Sequence, residues 1–283
     1  MIKEYAIDPA VAADFSNLKQ IGNLFDFSNP RRISRFPKKW ERMVYEAAAP
    51  LGDMNAKRVE EKLKQFKGRK SCLYSFGRNY NPAKDWVENA FESHAVRPFS
   101  ALICENDQEP CVKLDDLEDT HPLIHAPNSK QVTKSLANYK ALFDPVFLSV
   151  KNIYIVDPYF STFQDKCIRL YKHWFKILNE CSDAEAMKLS IITSARNDGP
   201  YKLGEENSLI TQARQTFTNG QNLRFTLNAK IIEHSDDMHD RFVITEHAAF
   251  TVTSSFIIDN NATMIVNMLT KFDASNLLTK FND

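Results

Sequence analysis

The sequence predicts an α/β protein, with a mixed β-sheet flanked by helices in the C-terminal half and a mainly helical N-terminal region. From about Val132, strand and helix patterns alternate in the order β-α-β-α-β-β-β. Before Asp115, apolar residues recur mostly at three- and four-residue spacing. Residues 1–80 hold 16 Lys and Arg against 9 Asp and Glu, a balance of 16 − 9 = +7, and the remainder holds 20 against 27, or −7. The chain therefore has a basic front and an acidic back.

Three helices are predicted in the front region from apolar residues on one face. The first covers residues 10–25, the second begins at Pro37, and the third ends at Gly68. Segments 98–105 and 110–114 have strand composition and a polar turn between them, which predicts a hairpin. The polar, proline-containing stretch 115–129 predicts the boundary between an N-terminal region, residues 1–130, and a C-terminal domain, residues 131–283.

The C-terminal domain is predicted to alternate helices and strands. A strong amphipathic stripe from Phe163 to Cys181 predicts its longest helix, and Asn219-Gly220 ends the next one. The remaining predicted elements are a helix at 132–143, strands at 151–156, 188–194, 223–232, 240–245 and 249–254, and a last helix from about residue 262.

Composition argues against several classes of protein. Five cysteines without CxxC spacing favour neither a zinc module nor a disulfide framework, so reduced thiols in a cytoplasmic protein are expected. No apolar run approaches the ~18 residues of a membrane span, so no transmembrane segment is expected. Neither a P-loop nor a dinucleotide fingerprint is present, and we expect no cofactor and no metal.

The segment 238–250, "MHDRFVITEHAAF", carries the most informative pattern. With 7 histidines and 36 Lys and Arg, a histidine followed two residues later by a cation is expected roughly 0.9 times by chance. Requiring an acid seven residues after the histidine lowers that expectation to roughly 0.1. His239, Arg241 and Glu246 satisfy the longer pattern, at the start of a predicted strand and upstream of Ser254 and Ser255.

This pattern resembles the HxK(x)4D signature of the phospholipase D (PLD) superfamily. The upstream "IYIVDPYF" resembles the strand that opens PLD-like domains. The likeness is nearest to a single-motif bacterial branch that has "HDRF" here, and to the PLD-like C-terminal domain of eukaryotic MIT-domain proteins. It covers residues 150–267, and residues 1–130 resemble no family.

The resemblance implies a metal-independent phosphodiesterase, most simply a nuclease acting on DNA or RNA. Its catalytic set would be His239, Arg241 and Glu246: His239 attacks phosphorus to form a phosphohistidine, and Glu246 braces the motif. Ser254 and Ser255 would bind the phosphate together with Arg241.

A second histidine must protonate the leaving oxygen. Because the chain has one such motif, the resemblance implies a homodimer through the PLD-like domain, in which two His239 residues meet. The "HDRF" branch also suggests an antiviral-defence or mobile-element setting, with a protein partner from the same operon.

Departures from the family pattern leave a second function open. Arginine replaces the family's lysine, Glu246 replaces aspartate, and Phe256 stands where the family has an amide. The acid that orients the histidine has only Asp259, Asn260 or Asn261 as counterparts. The alternative is therefore an inactive PLD-fold interaction module that binds a protein, nucleic acid or membrane surface.

A basic stretch in the front region predicts a nucleic-acid surface. Residues 31–42, "RRISRFPKKWER", interleave cations with Phe36 and Trp40, as a site does when it pairs phosphate neutralisation with stacking. The other interpretation is an exposed helix start whose aromatic residues face the core. The predicted nucleic-acid-binding residues are Arg31, Arg32, Arg35, Lys38 and Lys39.

Overall fold

The chain folds into two compact units, residues 1–127 and 128–283, each with its own sheet. This computed structural model describes residues 2–25, 29–68, 73–75, 77–117, 121–125, 127–148, 150–181, 184–196, 199–234 and 240–282. The second unit begins with residue 128, three residues before the start that the sequence predicted.

The first unit is a parallel sheet with helices in the connections. Its strands run in the order β3-β2-β1-β4-β5, and every recorded pair is parallel. The elements are β1 (Lys3–Ile7), α1 (Pro9–Ala12), α2 (Phe15–Leu24), β2 (Arg31–Ser34), α3 (Trp40–Ala48), α4 (Asp53–Gly68), β3 (Leu73–Tyr74), α5 (Trp86–Val96), β4 (Ala101–Ile103) and β5 (Cys111–Val112).

Local sequence explains where these helices begin. The Asp14 side chain accepts hydrogen bonds from the Ser16 and Asn17 amides at the start of α2, and Asp85 caps α5 in the same way. Trp40, fully buried at the start of α3, donates from its indole nitrogen to the Ile7 carbonyl at 2.7 Å. The indole group thereby fixes α3 against β1.

Helices contain most of the regular structure of this region, but short buried strands with charged residues, such as "RRIS", form a central sheet that the sequence did not predict. Two other predictions for this region are wrong. Segments β4 and β5 pair in parallel, with Leu102 opposite Cys111, so they are not a hairpin. Cys104 and Cys111 form a disulfide between the end of β4 and the start of β5, contrary to the expected reduced thiols.

The second unit is a seven-stranded mixed sheet flanked by helices, which confirms the predicted fold class. Its strand order is β6-β12-β11-β10-β7-β8-β9, with β7, β8 and β9 parallel and the other pairs antiparallel. The elements are β6 (Ser129–Lys134), α6 (Leu136–Phe147), β7 (Asn152–Val156), α7 (Asp165–Glu180), β8 (Lys188–Ala195), α8 (Glu206–Thr218), β9 (Thr226–Glu233), β10 (Arg241–Thr245), β11 (Ala249–Val252), β12 (Asp259–Met268) and α9 (Lys271–Asn282).

An aromatic cluster lies beneath one face of α7. Trp174 is fully buried and makes edge contacts with Phe143 and Phe147 of α6, and with Phe256, at centroid distances of 5.9, 5.3 and 5.6 Å. Burial of such large side chains stabilises the unit by roughly 2 kcal/mol each. Phe256 is thus a core residue here.

Two element predictions for this unit are wrong. Residues 129–134 form β6, and the helix starts only after Ser135, whose hydroxyl accepts from the Asn138 amide. Residues 259–268 form β12 rather than the last helix. In both segments, strand pairing determines the secondary structure, because Val132 of β6 lies opposite Met264 of β12.

Candidate functional site

Each of the seven strands of the second sheet has one end at the same edge of that sheet, and polar residues lie there. The parallel strands β7, β8 and β9 all end there, and β10, antiparallel to β7, begins there at Arg241. By the same alternation β11 and β6 end at this edge, and β12 begins there. The carboxyl edge of parallel strands is where α/β sheets place ligands, so this edge is the candidate site.

Asp157 lies at the centre of this edge, directly after β7. Only 1% of its surface is exposed, and its carboxylate accepts backbone hydrogen bonds from Tyr159, at 3.1 Å, and from Phe256. Burial raises the pKa of Asp157 to about 6, although the nearby Arg241 guanidinium, whose Nε lies 3.8 Å from Oδ1, opposes that rise. The carboxyl group thus changes charge near pH 6.

Two arginines contact the same tyrosine ring. The guanidinium carbon of Arg241 is 4.6 Å from the centroid of the Tyr159 ring, and that of Arg196 is 4.3 Å from it. The geometry follows from strand order, since Tyr159 follows β7 and the arginines come from β10 and β8 on either side. Stacking on an aromatic ring holds each planar guanidinium in a fixed orientation.

A buried lysine adds a third positive charge. Lys134, at the end of β6, is 4% exposed, and its Nζ donates to the Ser255 hydroxyl at 3.4 Å. Burial lowers the pKa of Lys134, and repulsion from Arg241 lowers it further. The Ser254 hydroxyl is enclosed and has no hydrogen-bond partner within the described part of the chain. Such a cluster of cations and hydroxyl groups has the chemistry of an anion site.

The structure locates four of the five predicted site residues of this unit. Arg241, Ser254 and Ser255 lie at the carboxyl edge. His239 falls outside the described residues, two positions before Arg241 in the sequence. Glu246 follows β10 at its other end, about 16 Å along the strand from Arg241.

Glu246 binds the backbone at the start of β7. Its carboxylate accepts from the amides of Lys151 and Asn152, at 3.1 Å each, and from the Asn152 side chain at 2.7 Å. Glu246 does not reach the carboxyl edge. Its position does not agree with the predicted catalytic role and gives it a structural role. That position agrees with a brace between β10 and β7.

Asp259, one of the expected counterparts of the family's orienting acid, lies at the start of β12. Its carboxylate pairs with Lys166 at 2.7 Å. The structure therefore assigns Asp259 an ion pair at this edge, and it provides Asp157 as the buried acid.

The predicted nucleic-acid-binding residues of the front region do not form one exposed surface. Arg32 is fully buried in β2, where its guanidinium donates to the carbonyl oxygens of Asn29 and Arg31. Arg35 pairs with Glu41 at 2.8 Å, and the side chains of Lys38 and Lys39 are exposed.

The aromatic residues of this stretch are not available for stacking on bases. Phe36 and Trp40 are 1% and 0% exposed, because both pack into the core of the first unit. The interpretation in which the aromatic residues face the core is therefore correct. Arg31 also turns inward and donates to the Ile124 carbonyl at 3.4 Å.

Sequence reasoning missed four residues of the carboxyl edge, namely Lys134, Asp157, Tyr159 and Arg196. A signal was present for two of them, because "VDPY" places an acid and a tyrosine directly after a buried strand. Lys134 carried no signal, since its segment was predicted to be helical.

One histidine of this edge lies away from Arg241. His234 follows β9, and its Nδ1 is 3.3 Å from the Ser194 hydroxyl. Strands β9 and β10 are separated by β8 and β7, about 14 Å in total. His234 is therefore not a neighbour of Arg241, although the β8 end that leads to Arg196 lies beside it.

Within the described ranges, no group of three or more His, Cys, Asp or Glu side chains is arranged to hold a metal ion. Among the same residues, no helix is both long and apolar enough to cross a lipid bilayer.

Comparisons with known proteins add little. No family model matches the chain, and neither does any curated protein. Among solved structures, the chain is similar to TrmBL2, an archaeal chromatin protein whose structure is described as showing a novel mode of DNA binding. The identity is 16%, the match covers 84% of each chain, and the TM-score is 0.30. That score is too low to indicate a shared fold, so it supports no functional conclusion.

Proposed function

We propose that the second unit is a metal-independent phosphodiesterase, acting on nucleic acid with His239 as nucleophile. One observation carries the proposal: Arg241, Arg196 and Lys134 gather positive charge at the sheet edge where the strand following His239 in the sequence begins. A phosphodiester is the anion that such a site would have to bind for a histidine to attack phosphorus.

The proposed reaction has two displacements. A nitrogen of His239 attacks phosphorus, a P–N bond forms, and the P–O bond to the leaving group breaks. A second imidazole, from His239 of another copy, donates a proton to the leaving oxygen. Water then attacks the phosphohistidine, the P–N bond breaks, and the proton of that water returns to the second imidazole. Arginines and serine hydroxyls stabilise the charge on the non-bridging oxygens in both steps.

Asp157 would position Arg241 rather than react. In its carboxylate form Asp157 attracts the Arg241 guanidinium, while the Tyr159 ring fixes the plane of that guanidinium. The Ser254 hydroxyl, enclosed and without a partner among the described residues, is then a donor that a phosphate oxygen would satisfy.

The second candidate is a PLD-fold module that binds without cleaving. Phe256 favours this candidate, because the position where the family has an amide is occupied by a fully buried core residue. The engagement of Arg241 with both Asp157 and Tyr159 also suits a static anion site.

The test is cleavage of labelled single- and double-stranded DNA and RNA in excess EDTA. It compares the intact chain with His239→Ala and with His234→Ala, a matched histidine of the same sheet edge. The proposal expects EDTA-resistant cleavage that His239→Ala abolishes and His234→Ala retains. It also expects the active species to sediment as a dimer.

Cleavage that survives His239→Ala would remove this residue from the mechanism. Absence of cleavage in all three proteins, with retained binding that Arg241→Ala weakens, would favour the binding module.

A further inference from the structure

A groove lies between α2 and α4 of the first unit, and its lining includes no residue of the predicted basic stretch. Its volume is about 420 Å³, the size of a small-molecule site. The walls consist of Lys19 from α2 and of Lys57, Arg58 and Lys62 from α4, with Phe15 at one end. Lys19, Lys57 and Arg58 are exposed.

The two helices that form the groove are held close together. A Cβ at Gly22 would lie 3.1 Å from Lys62 Cε and 3.2 Å from the Phe66 ring, so only glycine allows this approach without a shift of the neighbours. At the other end, the Asn55 side chain accepts from the Phe15 amide and donates to the Ala13 carbonyl, both at 2.9 Å. The groove is thus a fixed feature of the fold.

The groove has an excess of positive charge. Glu61 is its acidic member, and the Glu61 carboxylate is already paired with Lys64 at 2.9 Å. The Arg58 guanidinium carbon lies 5.6 Å from the centroid of the Phe15 ring, and Lys62 Nζ lies 5.9 Å from that of the Phe66 ring. Both charged groups therefore line the groove beside aromatic rings.

This groove also accounts for part of the basic front. Residues 1–80 carry a balance of 16 − 9 = +7, but Arg31, Arg32 and Arg35 are engaged within the first unit. The exposed cations of α2 and α4 are then a main source of outward positive charge in this region.

We propose that this groove binds the sugar–phosphate backbone of single-stranded nucleic acid. Cations at i and i+4 on α4, such as Arg58 and Lys62, recur about every 6 Å along the helix and can contact successive phosphates of a flexible strand. A duplex is too wide to enter a groove of this size. The concave shape, with Phe15 only partly exposed, is unsuited to a lipid surface, which requires protruding apolar groups.

The test measures binding of a fluorescent single-stranded oligonucleotide to the full chain in EDTA, with His239→Ala present to prevent cleavage. The groove variant is Lys57→Gln with Arg58→Gln. Each phosphate contact to a single strand contributes about 0.7 to the slope of log K against log salt, so the slope should fall by about 1.4. At 0.1 M salt this equals about 25-fold weaker binding.

Two further pairs complete the design. Lys38→Gln with Lys39→Gln tests the exposed part of the basic stretch, and Lys172→Gln with Lys176→Gln on α7 tests net charge alone. The proposal expects the groove pair to weaken binding most and the α7 pair to leave it unchanged. Thermal unfolding of each variant shows that the fold is retained.

The inference is overturned if the groove pair binds as tightly as its parent, if all three pairs weaken binding equally, or if the parent does not bind. It is also overturned if polyglutamate or anionic vesicles compete as well as the oligonucleotide does. Since cleavage is not measured, failure of the groove and failure of the catalytic proposal remain distinguishable.

Discussion

The buried carboxyl group of Asp157 gives the sharpest prediction for stability. The change is Asp157→Asn, which keeps the shape and can still accept hydrogen bonds from the Tyr159 and Phe256 amides. It removes the group whose charge is unfavourable in the folded state, because burial outweighs attraction by Arg241.

The magnitude follows from the shift in pKa. The folded-state pKa of Asp157 is about 6, against the ordinary 3.8 of the unfolded chain. A raised carboxyl pKa means that the folded state binds the proton more tightly, so stability falls as pH rises from about 4 to about 6 and is level above that. Two pKa units correspond to about 3 kcal/mol, most of it expressed between pH 4 and pH 7.

Urea unfolding at pH 4, 5, 6 and 7 measures this effect for the wild-type chain and for Asp157→Asn. The other titrating groups are common to both proteins and cancel in the difference. The free energy of unfolding of the variant should gain about 2 to 3 kcal/mol relative to wild type across this range. A difference that does not change with pH would refute the assignment of Asp157 as a buried acid with a raised pKa.

Three other predictions concern residues around this sheet. Glu246→Ala should lower the free energy of unfolding by about 2 kcal/mol, since the Lys151 and Asn152 amides lose a charged acceptor, and Glu246→Gln should lower it by less. Urea unfolding measures both changes, and equal stability of the two variants and the wild-type chain would contradict the role of Glu246 as a brace. Arg241→Ala should lower the free energy of unfolding by roughly 3 kcal/mol at pH 8, because Asp157 is left unpaired. Adding Asp157→Asn should restore most of that stability, and a double-mutant cycle that shows no coupling energy would exclude the pairing. Gly220→Ala should cost about 1 kcal/mol, because φ is 81° there, and an unchanged melting temperature would contradict that strain.

Much of the second unit could be predicted from periodicity. The apolar stripe of α7 and the end of α8 are local signals, and Asn219 indeed adopts the left-handed conformation, with φ of 53°. The strands at β7, β8, β9 and β10 also follow from their β-branched runs.

What could not be predicted depends on pairing between distant segments. Val132 is in a strand because Met264 lies opposite it, and neither segment alone distinguishes a strand from a helix. Strands β1, β2 and β3 of the front sheet were missed for the same reason, since "RRIS" is polar in sequence and yet lies between two strands that bury Arg32.

The site was partly predictable. Arg241, Ser254 and Ser255 were predicted from a motif with fixed spacing, which can be detected in a single sequence. Lys134 and Arg196 could not be predicted, because each comes from a strand end that only the order of strands in the sheet brings to this edge.

The most direct measurement of the central claim is covalent trapping. The intact chain is mixed with radiolabelled oligonucleotide in EDTA, denatured within the first turnover, and analysed for label attached to protein. We predict an adduct that is acid-labile and alkali-stable, as a phosphohistidine is, and that is absent from His239→Ala. Cleavage without any adduct, or an adduct that persists in His239→Ala, would contradict the proposed mechanism.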